Sequence, residues 1–80
     1  MRRYFFDIRD GSTLVVDEEG IELPDDQAAE AEAARSLAGM ACDQVLASSS
    51  HVLTIDGRTE SGPVATARLH WELQKHRRPN

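Results

Sequence analysis

Eighty residues make at most one small domain, and 40% hydrophobic with 29% charged residues is an ordinary globular composition, not a disordered or collagenous one. A net charge of -5 and a pI near 5.0 argue against non-specific binding to a phosphate backbone, leaving only a local basic patch open. The charge is unevenly laid out: residues 10–32 hold nine carboxylates and no Lys or Arg, whereas residues 58–80 carry a net +3.

Tyr4-Phe5-Phe6-Asp7-Ile8 alternates at the period of a strand, with Tyr4, Phe6 and Ile8 on one face. Asp10-Gly11 supplies a tight-turn signal, and Thr13–Asp17 reads as the partner strand of a hairpin. Glu19-Gly20 gives a second bend, after which Ile21 and Leu23 share one side of a short extended piece that Pro24 ends. Asp25 is the expected N-cap of a helix running to about Ala47, with Asp26 and Glu30 near the positive end of its dipole. At 100° per residue Ala33, Ala34, Leu37, Ala38, Ala41 and Val45 fall in one arc, while Glu32, Ser36 and Asp43 lie opposite. Ser48-Ser49-Ser50 is expected to stop the helix. Val52–Ile55 is the next strand, Asp56 to Gly62 a polar turn region, and Val64–Trp71 a last strand with Ala65, Ala67, Leu69 and Trp71 on one face. These elements predict an α+β domain over 1–74: a four-stranded, mainly antiparallel sheet with one helix on one face, ordered strand-strand-helix-strand-strand. Residues 75–80 form a basic tail expected to fray.

Arg3-Tyr4-Phe5-Phe6, the Asp10-Gly11 turn, the box Asp17-Glu18-Glu19-Gly20-Ile21-Glu22-Leu23-Pro24-Asp25 and the Ala-rich helix occur in order at short spacings. In these features the first half of the chain resembles the short bacterial proteins grouped as domain-of-unknown-function family 6894; the second half resembles them loosely, through a strand, a Gly-containing turn and a strand. The resemblance implies a compact cytoplasmic α/β protein of a kind common in alphaproteobacteria, with no established activity. It transfers no catalytic residue.

The candidate chemistry is sparse. Asp17, Glu18, Glu19, Glu22, Asp25 and Asp26 lack the ligand register of a calcium loop and read as a solvated turn that also caps the helix. His51, His70 and His76 lie far apart and not at zinc-ligand spacing from Cys42, which reads as a small hydrophobe on the helix; His70 is expected to be exposed. No Gly-rich phosphate loop, GxSxG elbow or HExxH motif is present. We therefore expect no enzyme, no cofactor and no metal. One cysteine allows no internal disulfide, and ten of the apolar residues are alanine, so the core is thin. Leu14-Val15-Val16 is as long as any unbroken apolar stretch, far below the ~20 residues of a membrane span. No basic-then-apolar leader opens the chain. The expectation is a soluble cytoplasmic protein without a membrane partner.

The remaining signal is a surface. If Tyr4, Phe6 and Ile8 face the helix, then Arg3, Phe5, Val64, Thr66 and Arg68 lie on the outer sheet face, and an outward Phe with valines suggests a cover there. The expected function is a non-enzymatic interaction or regulatory module, homodimeric through that face, with an unidentified protein partner as a further possibility. One alternative is nucleic-acid binding, with Phe5 stacking on a base and Arg3, Arg68 and the tail meeting phosphates. Another is an antitoxin-like partner protein, on fold-level analogy.

Overall fold

The computed structural model describes residues 1–44, 50–77 and 79. Among these residues five strands and one helix follow in the order β1 (Arg2–Asp10), β2 (Thr13–Val15), β3 (Ile21–Leu23), α1 (Asp26–Gln44), β4 (Ser50–Thr59) and β5 (Gly62–Glu72). The fold is α+β, as the alternation predicts, but with five antiparallel strands rather than four. The short piece Ile21–Leu23 is itself a strand. The sheet runs β2-β1-β4-β5, and β3 lies on β1 beside β2, so one edge of β1 is divided between two short strands. Ile8–Asp10 pairs with β2, and Arg2–Tyr4 pairs with β3.

Helix α1 starts where its cap places it: Asp25 Oδ1 accepts the Ala28 N–H at 2.8 Å, satisfying one of the orphan donors of the first turn. The helix lies over β4 and β5 and touches β3. Its buried face is Ala29, Ala33 and Leu37, joined by the half-buried Met40 and Ala41. Ala34 and Ala38, expected on that face, are exposed, as is Cys42. Alanine on every side leaves hydropathy with little contrast, so the sheet decides which stripe is buried. The expected helix end at Ala47, with Val45 and Ser48-Ser49, lies outside the described residues; Ser50 already belongs to β4.

The core is small. Ala33, Leu37, Leu53 and Ile55 form its buried cluster, with Phe6, Ile8, Ala67 and Leu69 packed against it. This confirms the face read for β1 and that read for β5. Tyr4 is fully buried, and its hydroxyl donates to Asp26 Oδ1 at 2.7 Å, tying β1 to the first helical turn. That bond to a carboxylate raises the tyrosine's pKa, with burial acting in the same direction.

The expected turn over Asp56–Gly62 is largely strand. β4 continues to Thr59, and the turn is reduced to Glu60-Ser61 before Gly62 at φ 136°. Asp56-Gly57 reads as a turn, yet Gly57 sits mid-strand because the Phe6 ring packs on it: an added Cβ would stand 3.3 Å from Phe6 Cε1. A bulge follows, in which Gly57 faces Ala65 and Arg58 faces Pro63, leaving Val64 as the extra residue.

Candidate functional site

The outer sheet face carries the expected site residues, and the structure divides them. Phe5 faces outward with Arg3, as the alternation predicts. It is not open, however. The Arg58 guanidinium lies over its ring at 4.7 Å to the centroid, and the Gly20 backbone closes against it, so that Phe5 is half-buried. Arg3 is engaged too, donating to the Glu19 carbonyl at 2.7 Å and lying 3.8 Å from the Glu22 carboxylate.

Phe5 and Arg3 belong to a built cluster that clamps the β2–β3 connection onto β1. Asp17 Oδ2 accepts the Phe6 N–H at 3.0 Å, and its Oδ1 accepts the N–H groups of Glu19 and Gly20 at 3.1 and 3.0 Å. The Asp17 N–H donates back to Asp7 Oδ1 at 3.0 Å. Arg58 grips the pair from β4, with Nε to Asp7 Oδ2 at 2.8 Å and Nη2 to the Asp17 carbonyl at 3.0 Å. The Arg58 bond holds the Asp7 carboxyl below the usual carboxylate range, against its partial burial. For Asp17 burial works upward, but the N–H donors of Gly20, Phe6 and Glu19 and the Arg58 charge outweigh it, so its pKa is lowered as well. Asp7 in turn raises the Arg58 pKa. Every group here has a partner, as befits a structural lock.

The other outer-face residues lie elsewhere. Thr66 donates to Asp56 Oδ1 at 2.8 Å, and Arg9 bonds the second oxygen of the same carboxylate at 2.8 Å. Thr54, buried among these polar groups, is paired across the strands with Arg9 and Arg68. Arg68 is therefore four residues along and two strands across from Phe5, about 13 Å by 10 Å. The juxtaposition of Arg3, Phe5 and Arg68 that base stacking with phosphate contacts would need is not formed. Val64 sits in the bulge, half-buried. Around Asp56 that face is polar and internally paired, while Leu14, opposite Arg9, and Val52, opposite His70, stand exposed on it nearer the β1–β2 turn.

The open apolar surface is on the helix side, at the other end of the sheet. Among the described residues α1 lies over β4 and β5, and β2 stays open beside it, its three residues all exposed. Phe6, Ile8, Val15 and Val16 form a groove there, rimmed by Asp17, Glu18 and Glu19. Val15 and Val16 are 54% and 52% exposed, and Ile21 is 44% exposed, whereas Leu14, 57% exposed, pairs with Arg9 and points to the outer face. The hairpin strand expected over Thr13–Asp17 is confined to Thr13–Val15 and is exposed throughout; the run of three apolar residues beside an edge is the signal for this patch.

His51 bonds Asp10 Oδ1, and Gln44 Nε2 reaches the other oxygen of that carboxylate at 3.4 Å. This group pins the helix end to the β1–β2 turn. The space between it, Leu69 and Trp71 amounts to about 10 Å³, room for no more than one water. His70 is exposed, as its face predicts. Among the described residues no three His, Cys, Asp or Glu are grouped to hold a metal ion. No helix among them is long and apolar enough to cross a membrane.

Fold and site together define a small α+β domain in which a clamped loop bounds an uncovered apolar sheet edge. The chain belongs to the family described as a domain of unknown function, DUF6894, whose family model matches residues 3–70. The match reaches into β5, beyond the half of the chain that carries the recognisable motifs. No curated protein and no solved structure matches the chain.

Proposed function

We propose that the protein is a non-enzymatic interaction module that acts by self-association, docking through the β1–β2 edge and its groove. The observation that carries this reading is the pair Val15 and Val16, each more than half exposed, beside Phe6 and Ile8 where β2 is left open. Exposed edges are normally blunted by charge, proline or a covering element. Here the groove floor is apolar and the nearest charges stand on its rim. With six buried apolar residues among those described, two of them alanine, a lone monomer sets little large-side-chain burial against its chain entropy. Covering the edge adds apolar burial worth ~25 cal/mol per Å².

This reading moves the docking surface expected from the sequence from the Phe5 face to the opposite side. Light scattering across micromolar concentrations tests it. The wild type is expected to be dimeric and Val16→Glu monomeric, whereas Thr66→Glu on the outer face leaves the dimer intact. A wild type that stays monomeric throughout would refute the self-association reading.

A further inference from the structure

We infer that the occupant of the groove is the basic C-terminal tail of a second copy of this chain, the two copies exchanging tails about a two-fold axis. The inference rests on the self-association reading and specifies its contact. Groove and tail are complementary. The groove has an apolar floor of Phe6, Ile8, Val15 and Val16 with Glu18 and Glu19 on its rim, both exposed. The tail offers Leu73, 51% exposed, followed by the exposed Lys75, His76 and Arg77. Asp17 takes no part in this pairing, because its carboxylate is already filled by three backbone N–H groups.

Val15, Val16 and Leu73 are among the apolar side chains that stand open, and an exchange buries them at once.

The chain's own tail is badly placed for its own groove. Ile8 is level with Ile55 and Ala67, so β5 runs five residues, about 17 Å, past the groove before the tail begins at Leu73. The groove also lies three strands across, about 14 Å away. Returning would require the tail to reverse and pass the end of α1, where Gln44, His51 and Trp71 come together. A second copy meets neither obstacle, and a two-fold arrangement satisfies both grooves with identical contacts.

Charge reversal in the 80-residue chain tests this, read by sedimentation equilibrium at low and high salt. Lys75→Glu/Arg77→Glu and Glu18→Lys/Glu19→Lys should each weaken the wild-type dimer tenfold or more. An equimolar mixture of the two variants should dimerise again, since both exchanged contacts are then attractive, and added salt should weaken both the wild type and the mixture. A dimer broken by Val16→Glu but indifferent to the tail reversal would overturn the tail assignment while leaving self-association standing. Failure of the mixture to recover overturns it equally, and a monomeric wild type removes both readings.

Discussion

Gly20 sits at φ 72°, and a Cβ built on it would stand 2.9 Å from Arg3 Cγ, Phe5 Cε1 and the Tyr4 carbonyl oxygen. Gly11 has nearly the same φ, 63°, with nothing within 4 Å of its Cβ position. The two glycines therefore separate backbone strain from close approach. Gly11→Ala should cost only the left-handed penalty of about 1–2 kcal/mol. Gly20→Ala adds overpacking, typically ~1–3 kcal/mol, because one of its three contacts is backbone of a paired strand and cannot swing aside. The expected loss of about 2–5 kcal/mol compares with a total stability of about 4–12 kcal/mol for 80 residues. Urea unfolding followed by the fluorescence of Trp71 measures both variants against the parent. Equal losses in the two would show that the Gly20 loop does not press on Phe5 and Arg3, and the clamp would have to be abandoned.

Leu37→Ala empties the helix contribution to the core and should cost about 2–5 kcal/mol; a melting temperature within a degree or two of the parent would refute that packing. Because the carboxyls of Asp7 and Asp17 are held below the usual range, the stability they contribute is fully present above about pH 4 and is lost as the pH falls through their lowered folded-state values. The urea midpoint should therefore fall on the acid side, and fall less steeply in Asp17→Asn; identical acid slopes would refute the assignment. Asp17→Ala leaves the Phe6 N–H without its acceptor and should cost about 1–3 kcal/mol at neutral pH, measured by the same urea titration. Thermal melts with and without EDTA should coincide, whereas a drop of about ten degrees on chelation would reveal a structural metal.

What could be read from the sequence was local. The Asp25 cap spans three residues, the Asp10-Gly11 turn two, and the β1 alternation is carried by aromatic side chains that contrast sharply with their neighbours. The extension of β4 through Asp56-Gly57 was hidden because a turn-forming dipeptide is stabilised there by remote residues: Phe6 packs on Gly57, and Arg9 and Thr66 hold Asp56. With Arg58 placed in a loop, nothing could announce that it would cover Phe5. The outer-face reading followed from that one displacement.

The acidic box shows the same limit from another side. Read along the chain, its carboxylates are a solvated turn and a helix cap, and Asp25 fulfils the second role. Asp17 does something different, and only its bonds to Glu19 and Gly20 are visible in the spacing. β1 is paired with β2 from Ile8 onward and with β3 up to Tyr4, so the Phe6 N–H falls in the gap between the two short strands. The Asp17 carboxylate fills that gap and draws the chain away from the edge after Val16. A β2 three residues long, ended by a half-buried polar contact, cannot carry Val15 and Val16 under the helix. The same carboxylate that completes the sheet thus leaves Val15 and Val16 in the open, which is why the lock and the proposed docking edge stand or fall together.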